Sequence, residues 1–69
     1  VAESSNLVGV PLLESGIRQD YNLMILSIIK ANGEMVFNPS ADTIIRAEEK
    51  VIVVGSSESL HRLEKALNP

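Results

Sequence analysis

The chain has 69 residues, with six basic against nine acidic side chains and a formal net charge of −3, and it is 45% hydrophobic but only 3% aromatic. That length allows one small domain whose own core is marginal, since a chain of this size buries only about 60% of its unfolded surface. The absence of cysteine excludes disulfides and thiolate metal sites, and scattered Lys and Arg with Tyr21 and Phe37 as the only aromatics argue against a nucleic-acid surface.

In chain order, Ser4-Ser5-Asn6 supplies capping side chains, and Gly16 suits the left-handed stop after a helix. Pro11 is tolerated only in a first helical turn, where its missing N–H costs nothing. The expectation is a single turn at Leu7–Gly9, then a short helix from Pro11 with Leu7, Val8, Leu12 and Leu13 on one face. Asn22–Ile29 reads as a strand by composition. Asn32-Gly33 suits a type I′ hairpin turn, in which both central residues take positive φ. Glu34-Met35-Val36-Phe37 runs back, and Asn38-Pro39-Ser40 ends that strand. Thr43-Ile44-Ile45 is a short extended piece. Val51-Ile52-Val53-Val54 is a β-branched strand stopped by Gly55. The last helix opens at Ser56-Ser57-Glu58, carries Leu60, Leu63, Ala66 and Leu67 on one stripe, and stops at Asn68-Pro69. The class is α+β: a small two-layer domain over residues 1–69, with a mostly antiparallel sheet and two short helices.

Strict alternation puts Leu23, Ile25, Ser27 and Ile29 on one face of the first strand and Met24, Leu26, Ile28 and Lys30 on the other. Both faces are largely apolar, and two short helices can cover only one side of the sheet. Several wet Ile and Leu side chains would forgo several kcal/mol at about 25 cal/mol per Å². The uncovered face is therefore expected to meet a companion, with Leu23, Ile25, Ser27 and Ile29 as candidate dimer-interface residues. The other possibility is that the helices split, one on each side, in a self-sufficient monomer.

The chemistry-bearing residues assemble no active site. His61 is a lone histidine on a helix, the serines sit at caps and turns without a G-x-S-x-G elbow, and the four glycines are too dispersed for a phosphate loop. Glu48-Glu49, Asp42 and Asp20 lack the spacing of a calcium loop, and Glu48-Glu49 reads as a solvated turn. No metal site and no catalytic residue is expected. A more suggestive polar set is Lys30, Asn32, Asn38 and Pro39 beside a wall of Ile25, Ile28 and Phe37, since a few polar points against apolar surface hold small ligands. The bland reading of Asn32 as a turn residue and Asn38-Pro39 as a strand stop stands beside it. The longest apolar stretch, Leu23–Ile29, falls far short of the ~20 residues that span a bilayer. No signal peptide is visible, and a chain opening at Val1 is expected to be a piece of a longer polypeptide.

Taken together, Ser5-Asn6-Leu7-Val8-Gly9, the run Ile17–Lys30, Asn32–Ile45 and Val51–Gly55 followed by Ser59, Leu60 and Leu63 resemble the TrkA C-terminal domain, also called the RCK C-terminal domain. The resemblance covers nearly the whole chain. It departs at Glu48-Glu49, where the family has Gly-Asp before the last strand, which suggests a different turn, and at Pro11 inside the first helix. The resemblance implies a non-enzymatic, cytoplasmic regulatory domain of a potassium channel or uptake system. Such a domain follows a Rossmann-type domain, works with a membrane pore or transporter, and pairs as a homodimer. Its dimer cleft binds cyclic di-AMP in some members. Ile25, Ile28, Lys30, Asn32 and Pro39 fall in comparable places, with Asn38 beside them. The alternatives are a purely structural oligomerisation module and a regulatory domain of another ion or anion transporter.

Overall fold

The computed structural model describes residues 1–69. The elements are α1 (Leu12–Ser15), β1 (Met24–Ile29), β2 (Met35–Phe37), β3 (Lys50–Val54) and α2 (Ser57–Leu67). The sheet has the order β2-β1-β3 with both pairings antiparallel. Leu12 of α1 and Leu63 and Leu67 of α2 join Ile17, Leu23, Ile25, Ile28 and Ile45 in one buried cluster. Both helices thus pack on the same face of the sheet, as the two-layer expectation requires. They do not split to either side.

Local chemistry explains the elements. Pro11 stands immediately before α1, where its fixed φ of −59° and missing N–H fit a helix start. Gly16 ends the helix at φ 77°. A one-turn helix cannot turn two successive residues inward, so Leu12 is buried while Leu13 is exposed, contrary to the shared face expected. Ser56 caps α2 by accepting from the Ser59 N–H, and Glu58 and Lys65 suit the two ends of its dipole. The extended piece at Ile44 bridges Pro11. The carbonyls of Thr43 and Ile45 accept from the N–H groups of Leu12 and Gly9 at 2.8 Å each.

Two turns differ from expectation. In the β1–β2 hairpin only Gly33 has positive φ (90°), and the Lys30 N–H donates to Glu34 O while Gly33 N donates to Lys30 O. The loop is therefore three residues, Ala31-Asn32-Gly33, with the glycine as the left-handed bulge position, and not a two-residue type I′ turn. Before β3, Glu48 itself adopts φ 70°. A non-glycine residue holds the left-handed position at some conformational cost. Glu49 is buried, not solvated, because its Oε1 accepts the Arg46 N–H at 2.8 Å.

Candidate functional site

The outer face of the sheet is decided by one irregularity in β1. Ile25 lies opposite Val53 and Ser27 opposite Ile52, so Leu26 is an extra residue, a β-bulge. The bulge reverses the phase of alternation. Before it, Leu23 and Ile25 point to the core. After it, Ile28 points to the core, while Ser27 and Ile29 share the opposite face with their partners Phe37 and Met35. Met24, Leu26, Met35, Phe37 (71% exposed), Ile52 and Val54 (51% exposed) form an uncovered apolar surface across all three strands. Of the four candidate interface residues, Leu23 and Ile25 lie in the core of a single copy, Ser27 is covered by its neighbours, and Ile29 is half-buried. The expected single face Leu23-Ile25-Ser27-Ile29 is thus corrected by the bulge, and the free apolar surface runs through different residues.

The candidate ligand residues do not converge on one place. Ile25 is in the core. Asn32 sits in the hairpin loop, its Oδ1 accepting from the Glu34 N–H at 2.9 Å. Asn38 adopts φ 45° directly after β2, and its N–H donates to Leu26 O, which places this exposed residue next to Phe37 at the edge of the apolar face. Pro39 follows as a buried residue, its carbonyl accepting from Arg18 Nη2 at 2.8 Å. Ile28 and Lys30 do come together, in a cavity of about 370 Å³ between the β1–β2 side of the sheet and the segment 42–46. Lys30 is also paired with Glu34 at 3.8 Å, a contact between two exposed side chains that contributes little.

Sequence reasoning missed Arg18 as the clamp on Pro39. It also missed Arg46 and Glu49 as walls of the cavity, for which spacing offers no signal. His61 is exposed on α2. No group of three His, Cys, Asp or Glu side chains is placed to hold a metal ion, and no helix is long and apolar enough to cross a membrane.

Comparison with known proteins agrees with this architecture. The family model of the TrkA-C domain matches residues 1–68. The K(+)/H(+) antiporter subunit KhtT of Bacillus subtilis (strain 168) is 33% identical over 63 residues, which is 91% of this chain and 38% of that protein. The Ktr system potassium uptake protein C of the same organism is 35% identical over 65 residues, 94% of this chain and 29% of that protein. The chain therefore spans little more than a third of these relatives at most. Among solved structures, the RCK_C domain dimer of S. agalactiae BusR in complex with c-di-AMP has a TM-score of 0.86 at 19% identity, covering 97% of this chain and 82% of that one. BusR in complex with its busAB-promotor DNA gives the same TM-score and identity over 32% of that chain. With its sheet order, its two helices on one face and a family match from end to end, the chain belongs to the TrkA-C, or RCK_C, domain family.

Proposed function

We propose that the chain is a non-enzymatic regulatory domain of a potassium transport system, which pairs with a second copy through the outer face of its sheet and senses a small effector at that junction. The observation that carries the reading is the apolar surface from Met24 and Val54 to Met35 and Phe37, rimmed by Asn38. Its relatives KhtT and Ktr protein C belong by name to potassium transport, and its structural neighbour is an RCK_C dimer with c-di-AMP. Those proteins supply the class of system and the effector to try first. In the parent protein, the domain acts on the cytoplasmic side, beside a Rossmann-type domain and a membrane pore or transporter.

In this reading Leu26 and Phe37 form the wall of the effector site and Asn38 offers amide hydrogen bonds, with Pro39 holding the corner under the Arg18 clamp. Asn32 approaches from the hairpin end and Ile25 and Ile28 support the wall from behind, while Lys30 lines the cavity on the opposite, helix-bearing face. An effector that prefers one arrangement of the pair shifts the population toward it, and that shift moves the attached machinery. BusR is also known bound to promoter DNA, but the dispersed basic residues and net charge of −3 favour a role for this domain in pairing and sensing, without DNA contact.

Sedimentation and calorimetry test the reading. At micromolar concentration the chain is expected to sediment as a dimer and Phe37→Glu as a monomer. Cyclic di-AMP is expected to release heat on binding, lost in Asn38→Ala. A dimer that binds none of cyclic di-AMP, ATP, NAD or calcium favours a purely structural module, and a clean monomer in the unmodified chain overturns pairing.

A further inference from the structure

The cavity on the helix-bearing side of the sheet is a different place from the outer face. Its floor is apolar: Ile28 and Val36, cross-strand partners on β1 and β2, with Ile44. Four charged side chains line it, Lys30 and Arg46 against Asp42 and Glu49. Three of them have no ion-pair partner in the chain, because the one salt bridge joins Lys30 to Glu34.

Glu49 is the informative member. It is 94% buried on the complement of its 6% exposure, yet only its Oε1 takes a hydrogen bond, from the Arg46 N–H. No fully buried side-chain oxygen or nitrogen lacks a partner, so the second carboxylate oxygen opens onto the cavity. That oxygen is open to water, and a donor entering the cavity can take the water's place. The guanidinium of Arg46, which is exposed, donates to no group of the protein.

The four charges sum to zero. A phosphate or other anion would satisfy Arg46 and Lys30 but would meet two carboxylates, and a simple cation would meet the reverse. A ligand carrying both charges a few atoms apart satisfies both pairs, and an apolar side chain on the same molecule covers the floor. The volume, about 370 Å³, falls at the small end of ordinary ligand sites. We propose that this cavity binds a free α-amino acid with an apolar side chain. Its carboxylate is taken by Arg46 and Lys30, its ammonium by Glu49 and Asp42, and its side chain rests on Val36 and Ile44, above the enclosed Ile28. The site lies within one copy and requires neither the second copy nor the effector at the outer face.

The test is a nitrogen-15 NMR titration of the chain with L-leucine and L-valine. Isocaproate, which is leucine without its ammonium, and isopentylamine, which is leucine without its carboxylate, serve as half-ligands. Saturable amide shifts are expected at Lys30 and across residues 42–46. Each half-ligand is expected to bind at least about tenfold more weakly, as the loss of one charged contact of about 1.4 kcal/mol implies. Arg46→Ala removes a side chain that holds nothing else in the chain, so it is expected to fold and to abolish saturation. The same titration in Phe37→Glu is expected to give the unmodified result, which separates this site from pairing. Shifts that stay linear in amino-acid concentration, equal binding of isocaproate, or an unchanged response in Arg46→Ala would each overturn the proposal.

Discussion

The two faces of the sheet are made of the same kinds of residue and do opposite things. On the inner face Ile25 and Ile28 are almost completely enclosed by the helices and the 41–46 segment, with Val51 and Val53 partly buried beside them. On the outer face Leu26, Ile52, Val54, Met24, Met35 and Phe37 remain in water. Aliphatic composition does not separate them, because both are built largely from Ile, Leu and Val, with Met24, Met35 and Phe37 added on the outer face. What separates them is the number of covering elements a short chain can provide, so the fold spends both helices on one side and leaves the other as surface for association.

Substitutions on the two faces should therefore diverge. The largest effect is expected for Ile28→Ala, which empties a site 1% exposed: about 2–5 kcal/mol of destabilisation in urea unfolding, enough to unfold much of a marginal domain. A loss under about 1 kcal/mol would mean the inner face is less tightly closed than its burial indicates. Ser56→Ala removes the cap that starts α2 over that face and should cost about 1 kcal/mol, read by the same denaturation midpoint. Glu48→Gly should act in the opposite direction. It relieves a left-handed φ of 70° just before β3 and should raise stability by up to about 1 kcal/mol. The smallest effect belongs to the outer face: Phe37→Ser, measured at a dilution where the chain is monomeric, should change stability by no more than about 0.5 kcal/mol. A much larger change would show that Phe37 supports the single copy and would erase the distinction between the faces.

Much of this architecture can be read from the chain itself. Pro11 at the head of a short helix, the β-branched run of β3, the Ser56 cap and the leucine stripe of α2 each rest on a local rule that tertiary context did not override. The limits are equally specific. Alternation along β1 is legible only until Leu26, because a bulge is a property of the pairing with β3 and leaves no mark in β1 alone, although the isolated Ser27 in an apolar run is a hint. Asn32-Gly33 announces a turn but not its length. The position of Glu49 depends on the Arg46 N–H needing an acceptor, a backbone requirement invisible to residue spacing. For the same reasons the ligand candidates scatter: the chemistry of Ile25 and Ile28 suits a wall, whereas the bulge decides which side of the sheet they support.

The ends of the chain carry one more consequence. Val1 bonds to both Glu48 and Glu49 through its carbonyl and its nitrogen, Ala2 N donates to Leu67 O, and Ser5 Oγ donates to Ala66 O at 2.7 Å. The opening residues are thereby stitched to the last turn of α2, across a sequence separation of 61 in the case of Ser5. Such a contact cannot form on a partly made polypeptide, since its second half does not yet exist. During synthesis these bonds between the two ends wait until α2 has been made, so the closing of the domain is completed by its last helix.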